Sequence, residues 1–513
     1  MRADLFNPSD QLRPLAAALI TVVIVLGGAV LYTTSLGHVP PYLIHDEAQG
    51  ALQAHAIATT GRDLAGRWLP MYFTEPEFPP GRDPVMVYVT ALGLQVLPFT
   101  EAGARTPTAL VAVLNLALMF FAARALFQNT WAAVLAAVLL ALTPIHFIRG
   151  RLLLSPLYSI PFILGWLWAL GRFAQTPTPR RLIGACVWLA LGMYSYLAAV
   201  VMMPLYLLMT IGVAPRSFRP RSIGIAAAVF VVCLLPMAAW YFSHPERNAQ
   251  IVSAYGLTTA GVGSPIGIYW RFFDPSYLFV SGDPSLVNST RTSGLFPLAF
   301  AALLPIGLVS LARTRSPIKL VVVAGFLTAP VASVISGGIE MNRVMFVIPF
   351  AVLVATGGVI SLLQMRSVMP RLVGALLVVS IAWQFARFHH DYMSDRYRVA
   401  AAPWFSGNVR EAANELIGRA GEEPIFVSRD IDWVERMWRF YAIQAGRLDL
   451  VSRTTYVTDP PATAPTGAWL LCPAESGGCA ALGNSGAWHE RVRVPSIGGA
   501  RVFVILQRAS AVH

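Results

Sequence analysis

Apolar positions along this chain gather into long runs broken by short polar stretches. They do not alternate as in half-buried strands, and they do not form a one-sided helical stripe. Runs at about 14–36, 106–124, 130–148, 152–171, 182–197, 198–213, 222–242, 294–312, 318–335, 344–363 and 371–387 stand out. Each approaches the ~20 residues that a helix needs to cross a bilayer. The pattern predicts a mainly α, polytopic membrane protein with about eleven transmembrane helices. The fifth and sixth runs are continuous, interrupted only near Gly192–Tyr196, with Pro204 beyond. Pro84 to Leu97 is apolar but short, and reads as a helix lying in the membrane interface.

Beyond residue 387 the pattern changes. Short β-rich runs occur at 424–428, 467–471 and 501–506, with helical patterns at 408–419 and 432–444. Strands alternating with helices predict a small C-terminal α/β domain over 388–513. The remainder, 1–387, is a transmembrane module whose loop 37–105 carries interfacial helices.

Composition agrees. Of 513 residues, 56% are hydrophobic and 12% charged, against about a quarter charged in soluble domains. The net charge of +12 does not indicate nucleic acid, because the basic residues sit in short loops between apolar runs. With the N-terminus in the cytoplasm, the inner loops hold Arg124; Arg172, Arg180 and Arg181; Arg216, Arg219 and Arg221; Arg313, Arg315 and Lys319; and Arg366 and Arg371, with no Asp or Glu among them. That one-sidedness is the positive-inside pattern. It assigns Asp46, the 244–293 loop and everything after 388 to the outer side of a bacterial plasma membrane. No cleavable signal peptide is expected, since the first apolar run is too long for one. Cys186 and Cys233 read as small core residues. Cys472 and Cys479 lie close enough in sequence to pair if that region faces an oxidising space. No CxxC or HExxH motif suggests zinc.

No predicted span carries Asp, Glu, Lys or Arg in its interior. Ion-coupled transporters place such groups near the bilayer midplane, so the chemistry is expected at the outer surface. Asp46 and Glu47 come first there, although an N-cap and a first-turn acid would look the same in sequence. A proline-rich loop, Glu75 to Pro84, adds Glu75, Glu77 and Asp83. Arg149 and Arg151, beside His146, close the third run, and Arg291 and Arg343 precede the eighth and tenth. Snorkelling to the interface would place these arginines equally well. A phosphate held at the surface would use the guanidinium fork directly.

These segments, in their order, resemble the GT-C superfamily of integral-membrane glycosyltransferases, in its bacterial branch related to protein O-mannosyltransferases and aminoarabinose transferases. Asp46-Glu47-Ala48 with Thr60–Asp63 and Gly66–Pro70 resembles the family's first outer loop. Pro79-Pro80 with Val85–Tyr88 resembles its Pro-Pro-Leu-aromatic segment, and Arg105–Leu110 its Arg-x-Pro-Ser-Ala-Leu run. His146–Arg151 resembles a His-x-x-x-Ser-Arg stretch, with Gly150 where Ser is common. Tyr277–Asp283 and Asn342–Pro349 resemble later family segments. The resemblance implies direct displacement on a polyprenyl-phosphate sugar at the outer face. Asp46 would be the base, and Glu47 would orient it or the acceptor. Arg149, Arg151, Arg291 and Arg343, with His146 and Asp83, would bind substrate. The acceptor would be a lipid, polysaccharide or protein, and the sugar would invert. No cofactor is expected; some members of the superfamily use a divalent metal, and this sequence shows no ligand cluster for one. The competing readings are a transporter or flippase of a lipid-linked saccharide, which would place polar groups along a midplane path, and a non-catalytic membrane scaffold.

Overall fold

The computed structural model describes residues 14–73, 83–214, 218–246, 249, 264–314, 316–405, 409–458, 463–484, 486–499 and 501–509. The Glu75 and Glu77 positions, the Pro79-Pro80 segment, Arg216, Arg315 and the 247–248 and 250–263 parts of the 244–293 loop lie outside the described residues.

All eleven apolar runs fall on helices. The first part of the chain forms α1 (Pro14–Thr33), α2 (His45–Thr60), α3 (Pro84–Leu94), α4 (Glu101–Phe127), α5 (Thr130–Ala141), α6 (Pro144–Arg149), α7 (Ile160–Gln175), α8 (Pro179–Gly192), α9 (Ala199–Val213) and α10 (Pro220–Ser243). By length and apolarity, six helical stretches among the described residues are each sufficient to cross a membrane: Glu101–Phe127, Ser155–Gln175, Pro220–Ser243, Pro317–Ile335, Met341–Gln364 and Val368–Tyr392. The other apolar helices are shorter. Proline accounts for some of that shortening, because it cannot donate to the preceding turn. Pro144 separates α5 from α6. The predicted break at Gly192–Tyr196 is the real boundary between α8 and α9. The last apolar helix runs past its predicted end to Tyr392, since the polar turn His389-His390-Asp391 continues it beyond the apolar run.

Local sequence sets the helix ends that matter for the site. Thr100 caps α4, its hydroxyl accepting from Gly103 N–H at 3.0 Å. Asn129 caps α5 in the same way on Ala132 N–H at 2.9 Å. α2 begins after Ile44. Asp46 is therefore the second helical residue and not its N-cap, and Glu47 at the third position accepts from Ile44 N–H at 3.2 Å. α2 stops at Gly61, whose φ of 67° suits glycine, and Gly61 N–H donates to Ile57 O at 2.9 Å.

The C-terminal region forms a five-stranded sheet with β1 (Ile425–Ser428), β2 (Thr454–Val457), β3 (Trp469–Pro473), β4 (Trp488–Pro495) and β5 (Val502–Arg508) in the order β2-β1-β3-β5-β4. β1 is parallel to β2 and β3, and β5 is antiparallel to β3 and β4. The three β-rich runs became β1, β3 and β5. β2 and β4 escaped the pattern because they are the sheet edges, where charge such as Glu490, Arg491 and Arg493 is favourable. Cys472 and Cys479 form a disulfide.

This sheet region docks on the membrane module. The helix Val434–Gln444 packs against α2, and Phe440 meets Phe99 at 4.6 Å. Glu101, the first residue of α4, is buried; it accepts from Tyr441 Oη at 2.8 Å and pairs with Arg410 at 3.2 Å. A carboxylate at a helix N-terminus also meets the positive end of the helix dipole. The docked helix therefore lies over the start of α2.

Candidate active site

The segment joining α1 to α2 is held by two arginines that sequence alone would have sent to the surface. Arg105, wholly buried on α4, donates from Nη1 to Leu36 O (3.3 Å) and Pro40 O (3.2 Å), and from Nη2 to Tyr42 O (2.6 Å). Arg151, also buried, donates to Tyr32 O (2.9 Å) and Val39 O (2.7 Å). Carbonyls beyond a helix end have no partner of their own, and these guanidinium groups supply one. Gly150 lets the chain approach that closely. A Cβ at this position would lie 2.8 Å from both Ala112 Cβ and the Tyr32 ring, which accounts for a glycine here.

Glu47 belongs to the same buried network. Its side chain is fully enclosed, with Oε1 accepting from Arg105 Nε (2.8 Å) and Leu153 N–H (3.0 Å), and Oε2 from Arg105 Nη2 (2.9 Å). His146 is buried nearby, its Nδ1 2.7 Å from Tyr32 Oη and its Nε2 3.3 Å from Asn115.

Asp46 faces the other way. It opens onto a cavity of about 370 Å³ with Ile44, His45, Arg149, Asn288, Asn342, Trp404, Asp432, Trp433 and Arg501 among the lining residues. The Asp46 side chain is 30% exposed, and His45 Nε2 lies 3.5 Å from its Oδ1. His45 stacks on Trp433 from the C-terminal region, with ring centres 4.7 Å apart.

Arg149 lies at the end of α6 and is almost wholly buried. Its Nη1 donates to Asn288 Oδ1 at 2.8 Å, its Nη2 donates to Asn342 Oδ1, and its Nε has no partner among the described residues. Asn288 is oriented in turn by Asp283, whose Oδ1 accepts its amide at 3.4 Å. Burial pulls the Arg149 pKa down to about 10, with the nearby charges of Asp283, Glu47 and Asp46 opposing the fall, so the group remains cationic at neutral pH. A buried cation gripped only by neutral amide oxygens keeps its charge available to an anion.

The remaining predicted residues do not line this cavity among the described residues. Arg151 and His146 serve the buried network above. Arg291 donates from Nε to Pro284 O at 2.7 Å and lies over the Trp404 ring at 4.8 Å, behind a residue that lines the wall. Arg343 pairs with Glu340 at 2.8 Å, next to the lining residue Asn342. Asp83 stands at the N-cap position of α3 without a side-chain hydrogen bond to the helix, and lies within electrostatic reach of Tyr72 and Tyr241. Sequence reasoning missed Asn288, Trp433 and Arg501 as site residues, and it quoted Arg105 and Asn342 only as parts of motifs. Among the described residues, no three His, Cys, Asp or Glu side chains converge as a metal site.

Residues 79–240 match the family described as dolichyl-phosphate-mannose-protein mannosyltransferase. Comparison with curated protein sequences gives no match. Among solved structures, ArnT from Cupriavidus metallidurans in the apo state superposes with a TM-score of 0.61 at 14% identity, covering 96% of this chain and 98% of that one. ArnT from the same organism bound to undecaprenyl phosphate gives 0.64 at 14% identity, covering 96% and 97%. The Archaeoglobus fulgidus oligosaccharyltransferase tethered with an acceptor peptide gives 0.50 at 12% identity, covering 90% and 70%. The likeness extends over nearly the whole chain and is one of fold.

Proposed function

We propose that this chain, which has the fold of the GT-C integral-membrane glycosyltransferases, transfers a sugar from a polyprenyl-phosphate donor to an acceptor hydroxyl or amine at the outer face of a bacterial plasma membrane. One observation carries the reading. A partly solvated carboxylate, Asp46, and a buried guanidinium fixed by two neutral amides, Arg149, open onto the same cavity. That undecaprenyl phosphate binds ArnT supports a donor of the same class.

The chemistry is one displacement. The acceptor oxygen or nitrogen attacks the anomeric carbon as Asp46 takes its proton. The bond from that carbon to the phosphate oxygen breaks, and the polyprenyl phosphate leaves with the electron pair. Arg149 faces the charge that develops on the leaving group. One displacement inverts the anomeric carbon. Glu47 takes no proton in this scheme. Its bonds to Arg105, Leu153 and Ile44 set the start of α2, and with it the direction of Asp46. The scheme calls on no resident cofactor. The positive-inside charge pattern supports a cytoplasmic N-terminus and an external C-terminal region.

The test is incubation of the purified protein with a panel of radiolabelled polyprenyl-phosphate sugars, following loss of label from the lipid. Arg149→Gln is expected to lower kcat about 10²-fold, the usual consequence of losing one preorganised donor at a developing oxyanion. Donor turnover indifferent to Arg149→Gln would remove Arg149 from the phosphate. If no polyprenyl-phosphate sugar in the panel is consumed by the native protein, the donor class is wrong.

A further inference from the structure

A second cavity, of about 380 Å³, lies between the far ends of α4 and α7. Its α4 lining begins at Phe121, well along the helix from Glu101, so this cavity is about 30–40 Å from the Asp46 end of the helix and at the opposite membrane face. Phe121 and Trp168 line one wall of it, their ring centres 5.9 Å apart, and Phe121 is exposed on the outer surface of the helices. Arg124 follows Phe121 by three residues and Arg172 follows Trp168 by four, so each guanidinium stands one turn outward on the same helix face. Arg172 lies over the Trp168 ring at 5.8 Å. At the rim, the first residue of α5, Thr130, is 1% exposed, and its hydroxyl has no hydrogen-bond partner among the described residues.

This arrangement is complementary to an anion. Neither arginine has an ion-pair partner among the described residues, and the loops at this face contain no Asp or Glu to provide one. A buried hydroxyl without a partner is uncommon because it forfeits its hydration. A topogenic charge explains an arginine in a loop. It does not explain a cavity with paired guanidinium groups at the rim and a buried donor beside them. The exposed aromatic pair beside the arginines offers a surface for an apolar tail that a free phosphate ion would not use.

We propose that the cavity between α4 and α7 binds an anionic glycerophospholipid of the leaflet opposite the Asp46 cleft. Its phosphate sits between Arg124 and Arg172 and accepts from Thr130, and its acyl chain lies on Phe121 and Trp168. The site is separate from the proposed transfer chemistry and is tested without it. The protein is reconstituted in phosphatidylcholine nanodiscs doped with phosphatidylglycerol, and co-purifying lipid is quantified by native mass spectrometry. The native protein is expected to retain phosphatidylglycerol over phosphatidylcholine. Arg124→Gln/Arg172→Gln is expected to lose that preference by about an order of magnitude, as two arginines near an anionic headgroup imply, and Thr130→Ala to lose part of it. Arg180→Gln/Arg366→Gln removes the same charge at the same face outside the cavity and is expected to leave retention unchanged. Size-exclusion elution confirms that each variant is folded. Equal retention by the native protein and Arg124→Gln/Arg172→Gln overturns the site. Equal loss in the Arg180→Gln/Arg366→Gln control reduces it to diffuse surface attraction and overturns it too. Glycerol 3-phosphate displacing the lipid at matched concentration would show that Phe121 and Trp168 contribute nothing, and would sink the lipid assignment.

Discussion

Asp46→Asn is expected to leave the protein folded and its cleft intact while lowering kcat for sugar transfer by about 10²–10⁴-fold, the range typical of a lost general base. The substitution keeps size and polarity and removes the basic lone pair. Its structural cost should be small. Asp46 is 30% exposed, at the second position of α2, and is not the helix cap. Replacing one first-turn acid removes a dipole interaction worth about 0.3–1 kcal/mol, too little to unfold a protein of this size. Donor KM should change little, because the phosphate is assigned to Arg149. The measurement is single-turnover loss of label from lipid, alongside thermal unfolding in detergent. A rate within threefold of the native value, with the fold intact, would strip Asp46 of its role as base. His45 gives an internal comparison. It lies beside Asp46 and stacks on Trp433, so it should affect the orientation of the base and not its identity.

The membrane module was legible in the sequence because lipid imposes a strong constraint: every backbone group in the bilayer must be satisfied within a helix, so apolar runs become helices. The fork in the fate of Arg149 and Arg151 was not. Two residues apart and identical in type, they go to opposite environments. Arg149 ends α6 and reaches two asparagine side chains. Arg151 follows the bend at Gly150 and turns back to the carbonyls of Tyr32 and Val39. No local pattern distinguishes them, because their partners lie more than a hundred residues away. The roles of Asn288 and Asn342 were invisible for the same reason, since these neutral residues matter only by proximity. Asp46 and Glu47 show the converse. The pair was found by position, but its division of labour depended on Arg105, which reads in sequence as the basic residue before an apolar run.

That division predicts a contrast with Asp46. Glu47→Gln should cost about 3–5 kcal/mol of stability, the usual consequence of removing one partner from a buried ion pair. Both side chains of the Glu47–Arg105 pair are fully enclosed, so solvent does not screen the loss. The Gln carbonyl oxygen can keep the two hydrogen bonds of one carboxylate oxygen, but the NH₂ then meets two donors, either Arg105 Nη2 and Ile44 N–H or Arg105 Nε and Leu153 N–H. Arg105 then carries an uncompensated charge in the core, although it keeps the carbonyls of Leu36, Pro40 and Tyr42. Denaturant-induced unfolding in detergent should show the destabilisation, and activity should fall only as far as the folded fraction and the aim of α2 fall. Removing both charges in Glu47→Gln/Arg105→Met should cost less than the sum of the single changes, because neither charge is then left alone. If Glu47→Gln instead abolished transfer at native stability, Glu47 would join Asp46 in the chemistry and the structural role given to it here would be wrong.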